Sequence, residues 1–269
     1  MPLPCENLDW IPTISGPVRS SFAAVLAGFV FACLVTVITR DRHRQDAGTI
    51  RLFLAAFLCL VADSYVGILV AGDTLCQRAL AESSIFNSLL SLGAVAIFSG
   101  LTWLISSSTV TRHAPEGDPF FDVEQFVVRM TYAVAVLAVI LLEASARGHL
   151  LGATGDSFPM SWYGWTVHLY APVVIALMVI LRLAVLRGRR RDLVPSETRL
   201  RVAAISTSVA VFVLLILSAV FDDRRRSSWE DPPDWIVGFA TVVPPLLAAG
   251  PVVAMVCALP TRTGPRPNP

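Results

Sequence analysis

Lysine is missing altogether: all 21 basic residues of this 269-residue chain are arginines. Without a lysine amine no retinal or pyridoxal Schiff base can form. Charge of either sign is scarce, 15% of residues against 55% hydrophobic, and so apolar a composition excludes an ordinary soluble domain. A net charge of +1 leaves no strongly basic surface for nucleic acid. Paired metal-binding or redox cysteines are also absent, because Cys5, Cys33, Cys59, Cys76 and Cys257 form no C-x-x-C step. His43, His113, His149 and His168 form neither H-x-x-x-H nor H-E-x-x-H, so no metal, cofactor or catalytic set is expected. No linker-like block exceeds loop length and no internal repeat stands out, which argues for one folding unit and against an inverted-repeat transporter.

What the chain has is hydrocarbon in lengths that fit a bilayer. About 20 mostly apolar residues cross a hydrocarbon core about 30 Å thick, and seven segments qualify: Phe22 to Thr39, Leu52 to Ala71, Ala81 to Ser106, Phe126 to Ala146, Tyr163 to Leu186, Val202 to Phe221 and Trp235 to Leu259. The fold class expected is all-α, a polytopic membrane bundle of about seven helices over residues 22–259. A short extracytoplasmic segment, 1–21, precedes it, and a disordered cytoplasmic tail, 260–269, follows. Residues 1–21 lack the basic region and small-residue cleavage site of a signal peptide, so the first span is expected to remain in the mature protein.

The arginines set the orientation, since basic short loops stay cytoplasmic. Arg40, Arg42, Arg44 and Arg51 lie between spans 1 and 2; Arg187, Arg189, Arg190, Arg191, Arg199 and Arg201 lie between spans 5 and 6; Arg262 and Arg266 are in the tail. With seven spans all three groups fall on one side. The opposite side carries Arg19, Arg78, Arg147 and Arg224 to Arg226, the last run diluted by five acids. The prediction is an N-terminus outside and a C-terminus in the cytoplasm of a cell membrane, with Trp162, Tyr163, Trp165 and Trp235 at the outer interface. Cys5 and Cys76 then share an oxidising compartment and form a disulfide candidate.

One acid stands out. Asp63, in "FLAAFLCLVADSYVGILVAG", lies about 12 to 13 Å inside the outer end of span 2, too deep for a short side chain to reach water. A charged aspartate at the bilayer centre costs about 2.5 to 3.5 kcal/mol on insertion scales, so it must find partners or carry its proton. Stepping by four through it gives Ala55, Cys59, Asp63, Gly67 and Ala71, a row of small residues that predicts close helix packing. Ala24, Gly28, Ala32 and Thr36 of span 1 make the matching row. On span 3, Asn87, Ser88 and Ser91 fall at the same depth. Span 7 brings Thr241 and Pro244 to that level, and Pro244 with Pro245 predicts an interrupted helix with freed carbonyls at Ala240 and Thr241. Asp63, Asn87, Ser88, Thr241 and Pro244 are therefore expected to line a small polar cavity in the outer half, binding a proton, a cation or the polar head of a small molecule.

His168 is expected to be an interfacial hydrogen-bonding residue, and Glu143 and Arg129 to be anchors near opposite ends of span 4. Span 3 ends without D-R-Y and span 7 has no N-P-x-x-Y, so the helix count brings no receptor family with it. Ser99-Gly100 lacks the first glycine of an intramembrane protease G-x-S-G step. The expectation is a non-enzymatic sensor, receptor-like protein or accessory subunit, acting in the lipid bilayer with a partner membrane protein or small ligand. The alternatives are a small transporter or channel component using Asp63, and an intramembrane hydrolase.

Overall fold

The computed structural model describes residues 12–39, 47–73, 75–107, 119–154, 161–188, 196–223, 229 and 232–260. Helices account for nearly all of them, with no strand among the described residues. In chain order these are α1 (Pro12–Thr39), α2 (Ala47–Gly72), α3 (Cys76–Ser107), α4 (Pro119–Thr154), α5 (Trp162–Gly188), α6 (Ser196–Asp223) and α7 (Asp234–Ala258). All seven are long and apolar enough to cross a membrane. Each expected span lies within one helix or overruns it by a single residue. The largest extensions are in α4, which reaches from Pro119 to Thr154, and α1, which starts at Pro12.

Many hydroxyl groups inside the spans share a pattern that suits a solvent without hydrogen bonds to offer. Ser21, Thr36, Ser88, Thr102, Thr131, Thr166, Thr207, Ser208 and Thr241 all donate to the carbonyl four residues earlier on their own helix. A donor satisfied by its own backbone costs little to bury in hydrocarbon.

Helix α3 is the hub, packing on α2, α4, α6 and α7 and lightly on α1. Helix α7 is the second inner element, between α3, α4, α5 and α6, while α1 rests almost entirely on α2. Large and small residues alternate along the α2–α3 seam at heptad spacing. A methyl group added at Gly100 would lie 3.0 Å from the Phe53 ring, and one at Gly93 would lie 3.1 Å from Leu60. At the next step the roles reverse, and a methyl at Gly67 would meet Phe86 at 2.9 Å. Antiparallel helices so matched sit close over their whole length.

On α2 the expected small-residue row is inside: Ala55, Cys59, Asp63 and Gly67 are all buried. The matching row on α1 is displaced by one position. Ala24, Gly28, Ala32 and Thr36 are exposed, and a methyl at Gly28 would meet nothing within 4 Å. The face against α2 is instead Gly16, Ser20, Ala23 and Ala27. A methyl at Gly16 would lie 3.1 Å from the Gly67 carbonyl oxygen, and Ser20 donates to the Ser64 carbonyl at 2.8 Å.

Helix α7 also departs from expectation, because it runs unbroken from Asp234 to Ala258 through Pro244, Pro245 and Pro251. Neighbours hold it in place. Tyr170 Oη on α5 donates to the Pro245 carbonyl at 2.8 Å. At the other end, Arg182 of α5 donates to the carbonyls of Leu259 at 2.8 Å, Pro260 at 3.3 Å and Cys257 at 3.4 Å, and Trp103 donates to that of Ala258 at 3.1 Å. These are the carbonyls a helix end leaves without intrahelical partners.

Candidate functional site: a polar level in one half of the bundle

The half of the bundle containing the start of α1, the end of α2 and the start of α3 holds most of the buried polar side chains that cross between helices. Arg19, Ser20, Asp63, Asn87, Ser145, His149 and Thr241 all come from positions roughly 8 to 17 Å along their helices from that end. Asp63 has no solvent exposure, and neither carboxylate oxygen has a hydrogen-bond partner among the described residues. Leaving a buried acceptor unsatisfied costs about 1 to 3 kcal/mol, more if charged, so the fold keeps it against a penalty. Arg19, half-buried on α1, is near enough for its charge to act on Asp63. Its Nη1 donates to Asn87 Oδ1 at 3.1 Å, and its guanidinium lies over the Phe86 ring, 5.9 Å from the centroid. Asn87 continues the chain, donating through Nδ2 to Ser145 Oγ of α4 at 2.7 Å.

Beside this group is a narrow cleft lined by Ser15, Gly16, Arg19, Gly67, Val70, Ser83 and Phe86. About 10 Å³ is open to the centre of a water molecule, roughly what one water needs. Gly67, which lines the cleft, is one turn above Asp63 on the same face of α2; Asp63 itself is not part of the lining.

A second set of polar ties joins α4, α5 and α7. Thr241 Oγ1 lies 3.1 Å from His149 Nδ1 of α4; the threonine proton goes to the Val237 carbonyl at 2.7 Å, which leaves the histidine nitrogen as the donor between them. Glu143 is bonded to Arg147, and its Oε2 accepts the Ala171 N–H at 3.2 Å. Of the expected site residues, then, Asn87 shares Arg19 with Asp63, and Ser88 is fully buried and turned to its own helix. Thr241 is paired with His149, one turn before Pro244 on α7, and α3 stands between α7 and α2.

Glu143 is not an anchor reaching water. It is buried, because Arg147 and the Ala171 amide take its oxygens. His168 bonds within its own helix, Nδ1 lying 2.9 Å from the Gly164 carbonyl. Cys5 lies outside the described residues; Cys33, Cys59 and Cys257 are free thiols. Among the described residues no three His, Cys, Asp or Glu side chains are placed to hold a metal.

Sequence reasoning missed Arg19, His149, Tyr170 and Arg182 as structural partners. Arg19 and Arg182 carried a usable signal, being arginines inside apolar helices, where an ionisable side chain asks for a partner. Tyr170 and His149 carried none, since which carbonyl or hydroxyl each meets is decided by tertiary packing.

These features define a class, the multi-pass helical membrane bundle, here with more of its buried polar groups in one half than in the other. Beyond the class, no family of known sequences, no characterised protein and no solved structure matches the chain.

Proposed function

We propose that the protein is a non-enzymatic sensor, receptor-like protein or accessory subunit of a cell membrane, and that the Asp63 carboxyl is its responsive centre. The observation that carries this reading is the fully buried carboxylate with neither oxygen hydrogen-bonded, within reach of the Arg19 charge. An acid kept so deep at a cost is a group whose protonation or pairing changes the balance of forces around it. The seam on the far side of Asp63 is filled, Gly93 against Leu60 and Cys59 and Gly100 against Phe53, which favours a responsive site over a conduit.

Asp63→Asn is the test. The amide keeps the size of the side chain, so the variant should purify as wild type does, with a melting temperature within a few degrees. The pH dependence of thermal stability measured on wild type should flatten. An Asn variant that keeps the wild-type pH profile would remove Asp63 from the function. A small transporter using Asp63 as a proton or cation site is the second reading, favoured by the same unsatisfied oxygens, and an Asp63-dependent flux in proteoliposomes would select it.

The orientation belongs to the proposal: N-terminus outside, C-terminus cytoplasmic. It is supported by the arginine-rich loops on the C-terminal side and by exposed Trp162, Trp165 and Trp235 at the opposite helix ends. A reporter fused after Pro269 should read the cytoplasm and one before Met1 the exterior; two termini on one side would overturn it. In this orientation Cys5 and Cys76 share the exterior, and a non-reducing peptide map should show them joined.

A further inference from the structure

Two described polar contacts fasten helix α1 to the bundle at the level of Asp63. Ser20 bonds to Ser64 of α2, Arg19 bonds to Asn87 of α3, and the remaining hydroxyls of α1 with a described bond turn back on α1 itself. Arg19 is thus the side chain that joins α1 to both α3 and the charge on α2. The guanidinium has five N–H donors and planar geometry suited to a carboxylate, and in the structure one of them is on the neutral Asn87 oxygen. Two oxygens with no donor and a cation held one residue away by a weaker acceptor make an arrangement with two positions for the cation.

We propose that Arg19 is a two-position counter-ion for Asp63, bonded to Asn87 when Asp63 carries a proton and to the Asp63 carboxylate when it does not, so that the proton on Asp63 sets how α1 is fastened. This rests on the reading of Asp63 as the responsive centre and adds what the response is. The step is a plain proton transfer. A proton from water in the cleft adds to one carboxylate oxygen, forming an O–H bond and leaving that water one proton poorer; no oxidant or further reactant is involved. The cleft lined by Ser15, Arg19 and Ser83 supplies the entry, from the end of the bundle where α1 begins.

Among the described residues the charged and titratable groups around Asp63 are few. Arg19 faces it from α1, and Cys59 is one turn away on α2 with its thiol within reach of the Asp63 charge. From α3 the buried Ser88 and Ser91 and the Arg19 partner Asn87 are all uncharged, as is Ser145 of α4, which Asn87 bonds, while Glu143 and Arg147 near it bond to each other. Among the described residues Asp63 is the ionising group whose charge acts on Arg19, so a movement of Arg19 is expected to follow the Asp63 proton.

Infrared difference spectroscopy on the full chain in nanodiscs, titrated with pH, reads both partners. The carboxyl band of Asp63 is identified by its loss in Asp63→Asn, and the guanidinium bands of Arg19 by their loss in Arg19→Lys. The expected result is a carboxyl band and an Arg19 band that change together with one midpoint, and an Asn87→Leu variant whose Arg19 band no longer changes because one of its two positions is gone. If Asp63 titrates while the Arg19 band stays fixed, the counter-ion proposal fails and the responsive centre stands. If no Asp63 carboxyl band changes at any pH the fold tolerates, the reading of the centre fails and takes this inference with it. In proteoliposomes, a pH step on the side of the α1 start should produce the change faster than one on the other side, and Ser83→Val should slow it; equal rates from both sides would overturn the cleft as the entry.

Discussion

Helices α1 and α7 are opposites in a way that inverts the habit formed on soluble proteins. The most hydrophobic window of α1 has a mean hydropathy of 2.5 and is 22% buried in the protein, whereas that of α7 has 1.9 and is 72% buried. In water the most apolar helix goes inside. In lipid, tails are as apolar as leucine, so hydropathy gives no inward drive. What selects α7 for the interior is its need for partners: prolines that remove donors, a threonine that meets His149, and end carbonyls taken by Arg182 and Trp103. What leaves α1 outside is that Phe22, Val25, Phe29 and Ile38 need none.

The contrast is sharpest when one bulky residue is added to each packing environment. Gly67→Leu should abolish or strongly reduce folded protein, since even a methyl there would meet Phe86 at 2.9 Å and Ser20 at 3.0 Å, and overpacking costs about 1 to 3 kcal/mol or more. Gly28→Leu on the exposed face of α1 should cost nothing and gain up to about 1 kcal/mol of helix propensity. Fluorescence-detected size-exclusion chromatography with thermal challenge separates the two, and equal behaviour would erase the distinction between a packed and a lipid-facing glycine. Next in size is Arg182→Gln, which strips a charged donor from the α7 end. Hydrogen bonds to charged groups contribute about 1.5 to 3 kcal/mol each, so a clear drop in melting temperature is expected, and a silent substitution would show that α7 needs no such cap. The smallest effect is that of Tyr170→Phe, which deletes the bond to the Pro245 carbonyl and should cost about 1 kcal/mol. A drop as large as that of Arg182→Gln would mean that the prolines depend on this one strap.

The same contrast explains how far the sequence could be read. The seven spans and the α2 row through Asp63 were legible because length and the four-residue step are properties of a single helix. The face of α1 was not, because Gly16, Ser20, Ala23 and Ala27 run beside Ala24, Gly28 and Ala32, and two rows of small residues leave periodicity without a preference. The partner of Thr241 was hidden for another reason. His149 lies beyond Ala146, where the apolar stretch ends, although the helix continues to Thr154. Proline was misjudged as well: a break at Pro244 follows from local chemistry, yet surrounding helices keep α7 continuous. Asp63 was recognisable as exceptional from its depth, but its company was not, since Arg19 had been counted with the loop charges that set orientation.

The matched seam between α2 and α3 has a consequence for how the chain enters the membrane. Each helix brings a carboxylate that is expensive to insert, Asp63 on α2 and Glu82 on α3, both buried in the finished protein. Asp73 accepts the Leu75 N–H and holds Arg78, which also reaches Asp222 of α6, so part of the bonding at this connection is local to the hairpin. Two helices with complementary ridges and local bonds at their connection cost less to deliver to the bilayer as a hairpin than one after the other. During synthesis, α2 would therefore wait at the translocation machinery until α3 has emerged.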